Sequence, residues 1–186
     1  RMQPTEPESE DNPIDTELFA YLPKPADQRK RVLSIRPYVS RTYANDLSVK
    51  AILLLSQMPC FKDMEFRLVG DGKLFDETLA PLRNFSNVTI ERCFLSQEKI
   101  AALHQKYGVF LVPSRMDSQG VSRDEAMASG LVPVTNRVAA IPEFVDDSCG
   151  LLAPPEDAAA LADGLARLYE SPTLFAHLSR AAAERV

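Results

Sequence analysis

Pro113-Ser-Arg-Met-Asp-Ser-Gln-Gly-Val-Ser-Arg-Asp-Glu-Ala-Met-Ala-Ser-Gly130 follows directly on a hydrophobic run, Val109-Phe-Leu-Val112. The run reads as a buried strand and Arg123 to Ser129 as a helix, so the chain turns from strand into helix around Gly120. Gly120, Val121 and Ser122 then offer backbone N–H groups at a helix N-terminus, where unpaired donors and the helix dipole attract phosphate. Two carboxylates, Asp117 and Glu125, stand eight positions apart across the same turn. One acid before the terminus and one just inside it suit a ligand that carries both phosphate and hydroxyls, such as a nucleotide-activated sugar.

The same texture extends in both directions. Val32-Leu-Ser-Ile35 precedes a helix-like stretch from Asn45 to Met58, Phe66-Arg-Leu-Val69 one from Lys73 to Leu82, and Val88-Thr-Ile90 one from Ser96 to Tyr107. Beyond the central turn, Val132-Pro-Val-Thr135 leads to a short turn at Pro142, and the chain ends in helical segments. Leu161, Leu165 and Leu168 form a core-facing stripe behind a candidate N-cap, Asp157, and Ile100, Leu103 and Tyr107 form another. Strand–helix alternation at these lengths predicts crossover units: an α/β, Rossmann-like parallel sheet with helices on both faces. Residues 1–30, rich in Glu and Pro at the start, read as a leader or interdomain linker and 31–186 as the domain.

Composition narrows the function. With 45% hydrophobic residues in 186, the chain can bury a full core. A net charge of −5 and the lack of a long basic run argue against nucleic-acid binding and against membrane contact through a polybasic patch. No apolar run approaches the roughly 20 residues that span a bilayer. Cys60, Cys93 and Cys149 are widely spaced, which fits reduced thiols in a cytoplasmic setting.

Ligands of such sheets bind where loops leave the C-terminal strand ends. Arg36 follows the first strand, and Arg41 lies five residues on. Together they could neutralise a diphosphate and stabilise the charge that develops as it leaves. Gly70-Asp-Gly72 allows a ligand or a neighbouring loop to approach the backbone after the second strand. The dinucleotide fingerprint fails there, because its third glycine would fall at Phe75, and this weighs against a dehydrogenase. His104 and His177 lack partners at ligand spacing and read as packing or surface residues. No Asp-x-Asp tripeptide and no G-x-S-x-G elbow occurs, so no metal site and no serine nucleophile is expected.

Taken in order, these residues resemble the nucleotide-sugar-binding C-terminal domain of a retaining GT-B glycosyltransferase of the family 4, or group 1, type. The likeness runs from Asn12-Pro-Ile-Asp-Thr-Glu-Leu-Phe19, similar to the segment joining the two halves of such enzymes. It continues through Leu33-Ser-Ile-Arg36, Leu68-Val-Gly-Asp-Gly72 and Asn87-Val88 to Phe94-Leu-Ser96. Pro113-Ser114, Asp117 and Glu125-Ala-Met-Ala-Ser-Gly130 carry the two-acid signature, followed by Val132-Pro-Val134, Ile141-Pro-Glu143 and Gly150-Leu-Leu152.

The resemblance implies roles for these residues. Glu125 would bind the ribose hydroxyls and Asp117 the donor-sugar hydroxyls, while the loop at Phe94 would face the base. Arg36, with Arg41 as the second cation and the Gly120–Ser122 backbone, would hold the diphosphate. It also implies a UDP-sugar donor, with GDP-sugar as the alternative, no tightly bound cofactor or metal, and an acceptor held by a separate N-terminal domain, as in polysaccharide biosynthesis. Asp117 stands where the family usually has Glu, Ile35 where Gly commonly precedes the arginine, and Cys93 where Gly is frequent. A nucleotide-sugar epimerase of the same architecture and a non-catalytic interaction module are the rival readings.

Overall fold

A computed structural model describes residues 14–116 and 120–186. Residues 1–13 and the segment Asp117-Ser-Gln119 lie outside the described residues. Among the described residues six strands run β1 (Arg31–Ile35), β2 (Glu65–Gly70), β3 (Val88–Arg92), β4 (Val109–Leu111), β5 (Val132–Asn136) and β6 (Leu151–Ala153). They form one parallel sheet in the order β3-β2-β1-β4-β5-β6. The helices are α1 (Asn45–Leu55), α2 (Phe75–Leu79), α3 (Gln97–His104), α4 (Val121–Ala128), α5 (Ile141–Phe144), α6 (Ala158–Glu170) and α7 (Pro172–Arg185). The α/β Rossmann-like architecture expected from the strand–helix alternation is the one observed.

Burial explains why these runs became strands. Every residue of β4 and β5 is buried, as a central parallel strand covered on both faces requires. Pro133 is tolerated inside β5 for a geometric reason. The Val132 N–H donates to the Gly108 carbonyl on the β4 side at 2.8 Å, so the nitrogen of Pro133 faces β6. Pairing with β6 begins only at Val134, opposite Leu151, so no ladder bond is lost. On one face of the sheet Val32, Leu111 and Val134 pack with Leu47 and Ile52 of α1 and with Leu161, Leu165 and Leu168 of α6. On the other, Leu33, Phe110 and Val112 meet Ala126 of α4 and Leu131. Asp157 caps α6 by accepting the Ala160 N–H at 2.9 Å.

Residues 14–30 are laid against the domain. Phe19 is buried with its ring centroid 5.4 Å from that of His104. Lys24 Nζ donates to the His104 carbonyl at 2.6 Å, and Gln28 Nε2 to the Gln105 carbonyl at 2.8 Å. His104 is itself buried, with Nδ1 3.0 Å from the Ser129 hydroxyl. Burial first, and then the charge of Lys24, push its pKa down to about 3. A histidine held neutral in the fold costs stability when the unfolded chain can protonate it. Stability should therefore fall from about pH 6.5 downward, by at most about 1.4 kcal/mol per pH unit, until the folded value is reached. Urea unfolding of the wild-type chain and His104→Gln at pH 7 and pH 5 checks this: the difference between them should shift in favour of the variant at the lower pH.

Candidate functional site

The sheet order reverses direction between β1 and β4, so the loops that follow them part and leave a crevice at the C-terminal strand ends. Arg36 stands on one side of it. Its N–H donates to the Val69 carbonyl at 3.0 Å, which fixes the backbone at the end of β1. Its guanidinium lies over the Tyr43 ring, 5.2 Å from the centroid, and Nη2 donates to the Pro113 carbonyl at 3.1 Å. The cation thus bridges the exits of β1 and β4.

Helix α4 opens on the other side. Gly120, at φ 60°, is its N-cap, and the Asp124 N–H makes the first intrahelical bond, to the Gly120 carbonyl at 2.9 Å. The N–H groups of Val121, Ser122 and Arg123 have no carbonyl within the helix to receive them, and among the described residues no side chain caps this end. Glycine is favoured at position 120 on two counts. The left-handed conformation disfavours a Cβ, and the space that a Cβ would fill is taken by the guanidinium of Arg123. Arg123 is only 2% exposed; it lies over the Phe144 ring, with Nε 3.4 Å from Asp124 Oδ1. The sequence suggested only that it starts a helix.

Glu125 sits one turn into α4 and is half-buried. Its carboxyl pKa is raised, by burial first and then by the neighbouring charge of Asp124. Among the described residues none donates a hydrogen bond to that carboxylate. A half-buried carboxylate with unused lone pairs can accept from hydroxyl groups. Asp117, the other acid of the sequence pattern, lies outside the described residues.

The remaining candidates have definite places. Arg41 belongs to a 3-10 turn, Arg41–Tyr43, with its side chain 80% exposed and 3.9 Å from Asp46 Oδ2. Phe94, in the loop after β3, is 83% exposed. Val121 is exposed and Ser122 half-buried at the α4 mouth. Gly70 and Gly72 are pressed against the loop that follows β1. A Cβ on Gly70 would meet the Arg36 carbonyl and lie 2.7 Å from Tyr38 Cε2, and one on Gly72, at φ 145°, would meet the Tyr38 backbone. Of the two approaches that the sequence left open for these glycines, the neighbouring loop is the one seen. Arg92 closes the same turn from outside through Asp71 and Asp76, at 2.8 Å each.

One residue of the site had no signal in the sequence. Arg115, in the loop between β4 and α4, pairs with Asp46 at 2.7 Å and with Glu156 at 2.7 Å. Those partners come from the start of α1 and from the loop before α6, and no local pattern links the three positions. Among the described residues no three His, Cys, Asp or Glu side chains are grouped as a metal site requires, and no helix is long and apolar enough to cross a membrane.

The family model for glycosyl transferases group 1 matches residues 30–171. The chain belongs to that family. It is 30% identical over 167 residues to MMP alpha-(1->4)-mannosyltransferase of Mycolicibacterium hassiacum, covering 86% of this chain and 38% of that relative. Its fold matches the C-terminal domain of a glycosyl transferase group 1 protein, LpcC of Francisella tularensis, with a TM-score of 0.75 at 20% identity over 94% of this chain and 96% of that one. It also matches S. aureus TarM, solved with fondaparinux, alpha-GlcNAc-glycerol and UDP, with a TM-score of 0.71 at 20% identity over 85% of this chain and 32% of that one. The domain is thus the C-terminal half of a GT-B fold, and it spans 38% or less of the curated relatives it matches.

Proposed function

We propose that this domain binds the donor of a retaining glycosyltransferase, a nucleotide diphosphate sugar whose sugar passes to an acceptor held by a separate N-terminal domain. The reading is supported by two features near the C-terminal strand ends: the Arg36 guanidinium, which bridges the exits of β1 and β4, and the N-terminus of α4, capped by no described side chain, with the Glu125 carboxylate one turn in. Fixed positive charge and oriented N–H groups stabilise a diphosphate most when it carries the full charge of a leaving group. Arg36 and α4 therefore act on bond breaking as well as on binding. Glu125 accepts from the ribose hydroxyls, and Asp117 takes the donor-sugar hydroxyls, following the family resemblance. In front-face transfer the departing phosphate helps deprotonate the acceptor, so no protein nucleophile is needed, and the reading includes no metal.

UDP is the favoured nucleotide, supported by the UDP in the TarM complex, with GDP as the alternative. Val39 and Met116, exposed apolar side chains that follow the strand ends, supply a surface for the acceptor domain, while exposed Phe94 faces the base. A cytoplasmic setting fits three cysteines that are all free thiols.

Calorimetric titration of the chain with UDP and GDP tests the assignment. One of them should bind, and Glu125→Ala should weaken that binding by about tenfold or more, the worth of a bidentate charged contact. His177→Ala, an exposed change on α7, should leave it unaltered. Glu125→Gln should bind more weakly too, yet melt slightly higher at pH 7, on the order of 1 °C, because it removes a charge that the fold disfavours. An acid whose folded pKa is raised lowers stability above that value, so this gain should vanish as the pH falls toward 4 and the native carboxyl protonates. Failure of both nucleotides to bind would sink the reading.

A further inference from the structure

Arg115 has five guanidinium N–H groups, and each has an acceptor. Nη1 donates to the Arg41 carbonyl at 2.9 Å and to Asp46 Oδ1 at 2.7 Å. Nη2 donates to Asp46 Oδ2 at 2.9 Å and to Glu156 Oε2 at 3.0 Å, and Nε to Glu156 Oε1 at 2.7 Å. Its backbone N–H reaches the Thr42 carbonyl at 2.8 Å, and the neighbouring Ser114 hydroxyl reaches the same carbonyl at 3.3 Å. One planar side chain therefore joins the loops that leave β1, β4 and β6.

The partners show that the junction is built rather than incidental. Glu156 stands at φ 59°, a left-handed conformation that disfavours a residue with a Cβ, and its carboxylate meets Arg115 on both oxygens. Asp46, in the first turn of α1, also presents both oxygens. Two residues before Arg115, the Pro113 carbonyl accepts from Arg36 Nη2. Whatever holds Arg115 thereby holds the carbonyl that orients Arg36.

We propose that Arg115 is a positioning residue that pins the exits of β1, β4 and β6 together, so that Arg36 and the N-terminus of α4 address one diphosphate. The inference rests on the donor-binding reading given above. Lysine cannot replace Arg115, because three donors on a point charge do not match two carboxylates and a carbonyl in one plane.

The test uses the full chain with Arg115→Lys and the milder Glu156→Gln, titrated with UDP and with UMP, alongside backbone hydrogen exchange. UDP should lose at least about fivefold more affinity than UMP in Arg115→Lys, because the second phosphate depends on both sides of the crevice, and Glu156→Gln should show the same trend more weakly. Exchange should accelerate at 41–46 and 113–116 while β2 is unchanged. A merely structural role would shift the melting temperature and both nucleotides together, leaving their ratio as in the wild type. A UDP-to-UMP ratio held within about twofold in both folded variants overturns the proposal, as does unaltered exchange in the two loops. If the wild-type chain binds neither nucleotide, the donor-binding reading fails and takes the phosphate role with it; loosened loops would then leave Arg115 as a clamp alone.

Discussion

Gly70→Ala should cost the fold about 3 kcal/mol or more and lower Tm by roughly 6–12 °C, although it adds only a methyl group. Gly70 ends β2, where the chain from β1 folds back over it. The added Cβ would collide with the Arg36 carbonyl, and the Tyr38 ring would stand 2.7 to 2.8 Å away. Neither neighbour can yield cheaply. The Arg36 backbone is fixed by the bond from its N–H to the Val69 carbonyl, and the Tyr38 N–H donates to the Asp71 carbonyl at 2.8 Å. The Tyr38 ring is buried edge-on against Phe75, with centroids 4.9 Å apart. A melting curve settles the matter: a variant as stable as the wild type would show that the β1 loop is not seated on β2 as described. Nucleotide affinity should fall in the same variant, because the displaced atom belongs to Arg36.

Arg36→Ala should have the largest effect on binding, a loss on the order of 100-fold in affinity for the nucleoside diphosphate, with Tm lowered by only a few degrees. Two charge-assisted bonds to phosphate at about 1.5–3 kcal/mol each would alone exceed that loss, and exposure to solvent brings the figure down. The side chain also bonds the Pro113 and Tyr43 carbonyls, at 3.1 and 3.4 Å, so its removal loosens the crevice wall as well. Arg36→Lys separates the two effects. It keeps the charge but loses the planar fork, and should recover part of the binding with a dependence on ionic strength close to that of the wild type. Titration at two salt concentrations reads both quantities. An Arg36→Ala chain that binds as the wild type does would remove the phosphate from this side of the crevice.

The sequence disclosed the site best where chemistry and backbone are encoded in one short stretch. The run Val109 to Val112, Gly120 and the acid at Glu125 announce strand, turn and helix within a few residues, and the structure forms the strand over Val109–Leu111 and the helix over Val121–Ala128. Strand β6 escaped notice because Leu151-Leu-Ala153 is three residues long, without β-branching or alternation, and becomes a strand only by pairing with Val134, Thr135 and Asn136. The Gly70-Asp-Gly72 turn was legible as a place of close approach, yet nothing local identifies Tyr38 as the approaching group. Arg115 was opaque for a related reason: its acceptors at positions 41, 46 and 156 converge only after three crossovers have formed. The burial of Arg123 was equally hidden, since arginine early in a helix ordinarily points to solvent.

The packing of residues 14–30 bears on where the domain can be cut. The first strand begins at Arg31, and a severed domain starting there would still have its whole sheet. It would also lay bare Ala101, Ala128 and the His104 ring, an oily seam that Phe19 now covers, together with the face of Gly130 that Tyr21 touches. The ribbon ahead of β1 is thus the domain's own flap of upholstery, and a cut that spares it falls before Ile14 rather than at the edge of the sheet.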